Sequence, residues 1–390
     1  MPIYFTSLED PATVDNVLAF LEPYVPHSLG MIGNIVNSRP ELVKAIKVYT
    51  SFEVNFSNPT SPTSSIEAPP LFSIIALQPR EQARFFCSAE LKTSDSATPE
   101  EEAHIQEFFK EVIPIIAAFT PNNQDGPTPE YDINPVGVKG RGYHIGRVHE
   151  KWCPCLDPIT IVRSGPLVCL IRPPPPPPRA APSPNTRPTP SETPYRKSDR
   201  WIISRFGPSD IDFIQSTSLI PRHKAYLESR THTSISIHDS HATGTPKSNP
   251  VAWSIIQADG SFGVLWVEPS HRGLGLGDLV FNECVSRSGT FHGFSGNQAT
   301  GMGILGWQWA DASPVNARSI QFFSRQEGWR VGWGTQFLTL DPDADPATID
   351  WSFRQVRTEE SRSREWGKNP KILLGQKNND VATLRVRSTS

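Results

Sequence analysis

Apolar residues along this chain change rhythm several times, and each rhythm predicts a different element. In "TPEEEAHIQEFFKEVIPIIAAF" the residues Ile105, Phe108, Phe109, Val112, Ile115 and Ile116 recur at three- and four-residue spacing, the period of a helix with one apolar face. Thr98 stands as its cap, Pro99 at the first helical position, and Glu100 to Glu102 complement the positive end of the helix dipole. Val14 to Leu21 predicts a shorter helix after the breaker Pro11. "KAIKVYTSFEVNF", "LFSIIAL" and "QARFFCSAEL" are apolar runs bounded by Pro, Asn and Ser, the pattern of strands. The early part of the chain therefore predicts α/β structure, with one amphipathic helix on a small sheet.

Further along, "PSDIDFIQSTSLIP" and "RHKAYLESR" predict two short helices, and "TSISIHD" and "VAWSIIQ" two strands. Asp259-Gly260 is a hairpin signal joining "VAWSIIQ" to "FGVLWVEP". A helix after a glycine-rich loop, a strand near "ILGWQWADA", a helix from Pro314 to Glu327 and the strand "VGWGTQFLTL" complete the series. Order and type together predict an α/β (α+β) domain whose mixed, largely antiparallel sheet is flanked by helices.

Between these two parts the composition changes abruptly. "PPPPPPRAAPSPNTRPTPSETP", Pro173 to Pro194, is a run whose prolines lack N–H donors and have φ fixed. Such a segment joins no sheet and sustains no helix, so an extended linker or lid is expected. After Thr358 the chain is charged and has little periodicity, with Ile372 to Leu374 as a short strand-forming run. The predicted organisation is an N-terminal α/β domain over 1–172, a Pro-rich linker over 173–197, a second domain over 198–357 and a flexible tail over 358–390.

A formal charge of -3 gives no global basic field, so nucleic acid is not an expected partner. No window approaches the roughly 18 apolar residues of a membrane span. The opening "MPIYFTSLEDPATVDN" has no basic region before an apolar core, and its acids argue against a transit peptide. A soluble, cytoplasmic protein is expected, without membrane association. Five cysteines in 390 residues make no disulfide framework, and an odd number fits reduced thiols.

The segment "VLWVEPSHRGLGLGDLVF" carries the chemistry. A strand-like run ends at Glu268-Pro269, a single arginine follows, and Gly273, Gly275 and Gly277 then precede a helix-like run. Glycines before a helix let successive N–H groups converge on an anion, so a phosphate is the expected ligand. A kinase-type loop would end in Gly-Lys-Ser/Thr, but Asp278 follows Gly277. A dinucleotide fingerprint would space its glycines G-x-G-x-x-G within a βαβ unit, which also fails. Asp278 itself opposes a bound diphosphate unless it points away.

"RGLGLG", Arg272 to Gly277, resembles the pyrophosphate loop of the GNAT (GCN5-related) N-acetyltransferase superfamily at every position. "AWSIIQADGSFGVLWVEPSHRGLGLG" is similar to the hairpin, bulged strand and loop of its glycine N-acyltransferase-like branch. "WADASPVNARSIQFFSRQEGW" resembles the strand and helix that follow. The resemblance runs from about Trp201 to Leu340 and implies an acyl-CoA-dependent N-acyltransferase. Acetyl-CoA or another acyl-CoA would be the co-substrate, a small-molecule amine or amino acid the acceptor, and no metal is needed. Transfer to a protein amine, or binding of CoA without catalysis, stays open, and no oligomeric state is assigned.

By that resemblance the acyl-CoA lies between two splayed strands, with pantetheine on the strand containing Leu265 and Val267. Backbone N–H groups of Gly273, Leu274, Gly275, Leu276 and Gly277 hold the diphosphate, with Arg272 adding charge. A backbone N–H near Val267 polarises the thioester carbonyl. The acceptor ammonium must lose a proton, for which Asp311, the preferred one, and Glu268 are the best-placed carboxylates; Asp311 reads equally well as a helix cap, and Glu268 as a solvated strand end. The place where many members carry an acidic tyrosine falls on Phe323 or Ser324, so a general acid is Ser324 or water. Asn316 is a pantetheine contact or a cap.

Other constellations are weaker. "HEKWCPC" groups His149, Cys153 and Cys155, and "HDSH" pairs His238 with His241, but neither has the spacing of a structural zinc site. Trp253, Trp266, Trp307, Trp309, Trp329 and Trp333 suit either a pocket wall or the core.

Overall fold

The computed structural model describes residues 1–38, 40–57, 67–78, 82–92, 94, 96–119, 142–174, 195–196, 200–217, 222, 224–241, 249–287 and 306–353. The linker between 175 and 194 and the tail, with its expected strand at Ile372 to Leu374, lie outside the described residues.

The first half of the chain forms β1 (Tyr4–Ser7), α1 (Pro11–Leu21), α2 (Leu29–Asn37), α3 (Pro40–Val43), β2 (Lys47–Thr50), β3 (Ser73–Leu77), β4 (Ala83–Cys87) and α4 (Pro99–Phe119). It continues with β5 (Tyr143–His149), α5 (Cys153–Leu156), β6 (Thr160–Arg163) and β7 (Leu167–Arg172). The second half forms β8 (Tyr195–Arg196), β9 (Trp201–Ser204), α6 (Pro208–Thr217), α7 (Lys224–Ser229), β10 (Ser234–Asp239) and β11 (Ala252–Ile256). After these come β12 (Phe262–Val267), α8 (Leu276–Arg287), β13 (Gln308–Ala312), α9 (Ala317–Ser324) and β14 (Arg330–Leu340).

The predicted helix at 98–119 carries a reciprocal cap. Thr98 Oγ1 accepts the Glu101 N–H at 3.2 Å, and Glu101 Oε2 accepts the Thr98 N–H at 3.1 Å. Its buried face is Ile105, Phe108, Phe109, Val112, Ile113 and Ile116, while Ile115 lies at its margin. Each such side chain removed from water contributes roughly 1.5–3 kcal/mol. The helix expected over Pro314 to Glu327 is shorter, because Asn316 caps it and the chain leaves it at Arg325.

Among the described residues fourteen strands join in one mixed sheet flanked by helices, in the order β1-β2-β3-β4-β5-β14-β7-β13-β12-β11-β10-β9-β8, with β6 on β14. The two halves repeat one plan. β1 to β4 pair antiparallel in series and β5 joins β4 in parallel; β9 to β12 pair antiparallel in series and β13 joins β12 in parallel.

The last strands of the halves are exchanged. β7 pairs with β13, placing Cys169 opposite Asp311, and β14 pairs with β5, placing Thr335 opposite His149. β7 and β14 also pair with each other. The small N-terminal sheet expected from the sequence is therefore continuous with the second half, although a proline tract separates them along the chain.

α1 and α2 cover one face of the sheet, in a cluster that takes in Cys169, Ile171 and Trp309. α4 and α5 cover the other, against β3 to β5 and the end of β14. In the second half α6 and α7 pack with Trp253 and Ile255, and α8 and α9 with Phe262, Ala310 and Ala312. All five cysteines are buried thiols outside any disulfide. No helix among the described residues is long and apolar enough to cross a membrane.

Candidate active site

The parallel strands β12 and β13 are joined by one residue pair, Phe262 opposite Ala310, and beyond it they separate toward their carboxyl ends. Strand β12 is interior in the sheet order, yet only Phe262 is buried and Gly263 to Val267 are partly exposed. On its other edge Trp266 opposes Trp253 and Gly263 opposes Ile255, so β12 carries one extra residue. That bulge holds Val264 at φ 56°. A β-branched residue in this region costs roughly 1–3 kcal/mol, a strain found mainly where a strand edge serves a function.

The bulge sets the direction of the backbone at the strand end. The Glu268 N–H donates to Val251 O at 2.9 Å, on the β11 side. Successive N–H groups of an extended strand alternate, so the Val267 N–H faces the opening toward β13.

From Glu268 the chain makes one tight turn, Pro269–His271, and enters the glycine loop. Gly273 and Gly275 have φ of 82° and 75°, and a Cβ on either would meet nothing within 4 Å. Conformation, not crowding, requires glycine at both. Gly277 is the reverse case: its Cβ would lie 3.3 Å from Phe322 Cε2, so glycine there lets α9 approach α8. Arg272 to Gly275 are exposed immediately before Leu276 opens α8. The first N–H groups of that twelve-residue helix, with its dipole, form a seat for an anion.

Arg272 is braced at the mouth. Its Nε donates to Val267 O at 3.1 Å, and its guanidinium carbon lies 5.2 Å from the centre of the Trp266 ring. Asp278 turns away from the loop, accepting from Gln326 Nε2 at 2.7 Å and Arg325 Nη2 at 3.3 Å. The acid that opposes anion binding in the sequence is thus engaged by the far end of α9.

The structure brings Leu265, Val267, the loop and Glu268 to one end of β12. Leu265 and Val267 are partly buried against the second-half core, Leu276 is buried and Leu274 is 48% exposed. Glu268 accepts from Trp266 Nε1 at 3.0 Å. Asn316 is the cap of α9, its Oδ1 accepting from the Ser319 N–H at 3.1 Å. Phe323 packs inside an aromatic cluster with Phe281 and Trp329, which makes it a core residue, whereas Ser324 is exposed.

Asp311 caps nothing. It sits at the level where the strands part, and its Oδ2 meets Arg147 Nε at 3.0 Å. Burial raises its pKa above the ordinary carboxylate value, with Arg147 opposing. Asp259, at the tip of the β11–β12 hairpin, meets Arg84 at 3.4 Å and Arg147 at 3.9 Å. Burial opposes ionisation of Asp259 too, but the two arginines outweigh it and hold its pKa below the usual value.

Arg84, Arg147 and Asp259 are absent from the sequence-derived site. The two arginines' one signal is polarity inside apolar strands, "QARFFC" and "GYHIGRVH", and Asp259 reads only as a hairpin residue. Of the tryptophans, Trp253, Trp309 and Trp329 are buried, and Trp266, Trp307 and Trp333 are partly exposed.

The first half does not repeat the glycine loop. After β4 the chain turns through Ser88–Leu91, and Glu90 Oε1 accepts from the Cys87 N–H and from Trp152 Nε1. Glu101, in the first turn of α4, is bound by Lys92 and Lys151 at 2.8 and 2.9 Å. Carboxyl groups of the chain occupy this turn and the start of α4, so among the described residues the open helix N-terminus with an arginine beside it belongs to the second half.

No family model matches this sequence, and no curated protein matches it. Among solved structures, a Drosophila protein is similar at 14% identity, covering 87% of this chain and 99% of its own, with a TM-score of 0.50. A GNAT-family acetyltransferase from Colwellia psychrerythraea is 11% identical over 87% of this chain and 100% of its own, with a TM-score of 0.35. A GCN5-related N-acetyltransferase from Sphaerobacter thermophilus is 9% identical over 87% and 96%, with a TM-score of 0.37. At these identities the likeness to the Drosophila protein is one of fold, and the chain shares that mixed α/β architecture.

Proposed function

We propose that this chain is an acyl-CoA-dependent N-acyltransferase of the GNAT superfamily, akin to its glycine N-acyltransferase-like branch, with a small amine as acceptor. One observation carries the reading. A bulged strand splays from its parallel neighbour and leads through one tight turn into an Arg-Gly-Leu-Gly-Leu-Gly stretch, exposed from Arg272 to Gly275, at a helix N-terminus.

In this reading the loop N–H groups and Arg272 hold the diphosphate, and the open edge of β12 at Leu265 and Val267 pairs with the pantetheine amides. The Val267 N–H donates to the thioester carbonyl as its oxygen gains charge. The amine nitrogen, freed of its proton through Glu268 or a water it holds, attacks the carbonyl carbon. The C–S bond then breaks, and the thiolate takes a proton from water or from Ser324. Glu268 is the stronger base candidate, because Asp311 is engaged with Arg147. Asn316 Nδ2 is left for a ligand contact, since Oδ1 serves the cap.

Thiol release from acetyl-CoA and longer acyl-CoAs, measured against amino acids, polyamines and peptides, tests the reading. Release with one class of amine and none without it supports transfer; release with no amine in the panel counts against it. A second reading, a CoA-binding module without turnover, is favoured by the burial of Phe323 and the pairing of Asp311. It predicts binding with no thiol release for any acceptor.

A further inference from the structure

The helix packed against the glycine loop carries a basic stripe. Arg318, Phe322 and Arg325 follow one another at spacings of four and three residues, so they share one face of α9, with Arg325 as its cap residue still in helical geometry. Phe322 shows where that face points: its Cε2 lies 3.3 Å from the position of a Cβ on Gly277. The stripe therefore runs alongside the last glycine of the loop and the first turn of α8, with the two arginines roughly 10 Å apart along the axis.

Both arginines are accessible, and neither is firmly held. Arg318, exposed in the first turn of α9, stands where the helix dipole disfavours a cation and is paired with no carboxylate among the described residues. Arg325 lies over the Phe322 ring, its guanidinium carbon 5.1 Å from the ring centre, and its Nη2 meets both Asp278 oxygens at 3.3 Å. That ion pair is long and open to water, the two side chains being 59% and 43% exposed, and such pairs are weak. Asp278 keeps its shorter bond, 2.7 Å from Gln326 Nε2, when Arg325 turns away. Arg325 can therefore exchange Asp278 for a ligand without stranding the carboxylate.

Arg272 serves the anion seat from β12, braced on Val267 O and the Trp266 ring, whereas Arg318 and Arg325 border it from α9. A diphosphate on the loop N–H groups and Arg272 leaves the α9 arginines without an anion. An acyl-CoA supplies a second one, because its ribose carries a 3′-phosphate a few bonds from the diphosphate. The fork of N–H donors on a guanidinium matches phosphate oxygens.

We propose that Arg318 and Arg325 bind the ribose 3′-phosphate of the co-substrate, so that the chain distinguishes an acyl-CoA from its 3′-dephospho form. This rests on the acyl-CoA reading of the glycine loop and adds to it the residues that select the nucleotide end. Phe322 is the support that keeps Arg325 at the edge of the loop.

The test is calorimetric titration of the full chain with acetyl-CoA and with its 3′-dephospho form, at low and at high salt. The wild type is expected to bind acetyl-CoA about tenfold more tightly than the dephospho form, with a difference that shrinks as salt is raised. The double variant Arg318→Gln, Arg325→Gln is expected to lose most of that difference by weakening acetyl-CoA alone. Both positions are exposed, so the variant should unfold at an unchanged temperature. Equal affinity of the wild type for the two forms, or a double variant that keeps the full preference or weakens both forms alike, would overturn this inference alone. Failure of the wild type to bind either form would overturn the acyl-CoA reading and this inference with it.

Discussion

Arg147 Nε lies 3.0 Å from Asp311 Oδ2, joining β5 of the first half to β13 of the second across the exchanged strands β14 and β7. The same guanidinium approaches Asp259 on the β11–β12 hairpin at 3.9 Å. Arg147 itself stands at φ 58°, a strained position for a strand residue. One buried cation therefore ties the β11–β12 hairpin, the end of β13 and the first half together.

The two carboxylates of this cluster are unequal, and mutation will separate them. Asp259 serves two arginines and the Ser261 N–H and hydroxyl, and its pKa is held down; that of Asp311 is raised. Asp259→Asn is expected to cost about 3 kcal/mol, because it leaves buried arginines short of charge. Asp311→Asn mimics a form that burial already favours and is expected to cost less, about 1 kcal/mol. Urea denaturation of both variants checks the order.

The glycine loop makes a conformational prediction. Gly275→Ala meets no neighbour, so its cost is the left-handed backbone alone, about 1–2 kcal/mol. Gly275→Asn, which tolerates that region, is expected to cost less. Gly277→Ala acts through contact with Phe322 instead, and Phe322→Leu is expected to relieve it. Thermal unfolding of the single and double variants distinguishes the two causes.

Glu90 predicts a pH dependence. Burial raises it to about 8, against the hydrogen bonds from Trp152 and Cys87 and the charge of Lys151. The folded state then holds this proton more tightly than the unfolded chain. The stability associated with the protonated group is present at low pH and is lost as pH rises from the ordinary carboxylate value through about 8. Glu90→Gln is expected to raise Tm more at about pH 8.5 than at about pH 5. An equal shift at both would contradict the assignment.

Strand exchange predicts how the halves behave after a cut. With β7 in one half and β14 in the other each completing its neighbour's sheet, a nick in the proline tract leaves every strand pairing among the described residues intact. A specific protease site inserted between residues 180 and 190 is expected to yield two fragments that co-elute under native conditions. They should separate only in denaturant.

Local pattern made some of this legible and left the rest hidden. The 98–119 helix, the hairpin at Asp259-Gly260 and the glycine loop depend on residues close in sequence, and each appears in the structure. Strand β5 was hidden because Arg147 and His149 interrupt its apolar pattern, their partners lying on distant elements. The exchange of β7 and β14 is a choice between similar apolar edges, which no local period records. Asp311 could be placed at a strand end, but the arginine that occupies it comes from the other half.

The central claim is that the exposed loop before α8 binds an acyl-CoA diphosphate. Calorimetric titration of acetyl-CoA into the wild-type chain and into Arg272→Glu tests it most directly. The account predicts saturable binding to the wild type, and loss of at least about tenfold in affinity in a variant that unfolds at an unchanged temperature. No binding to the wild type, or equal binding to both, would contradict it.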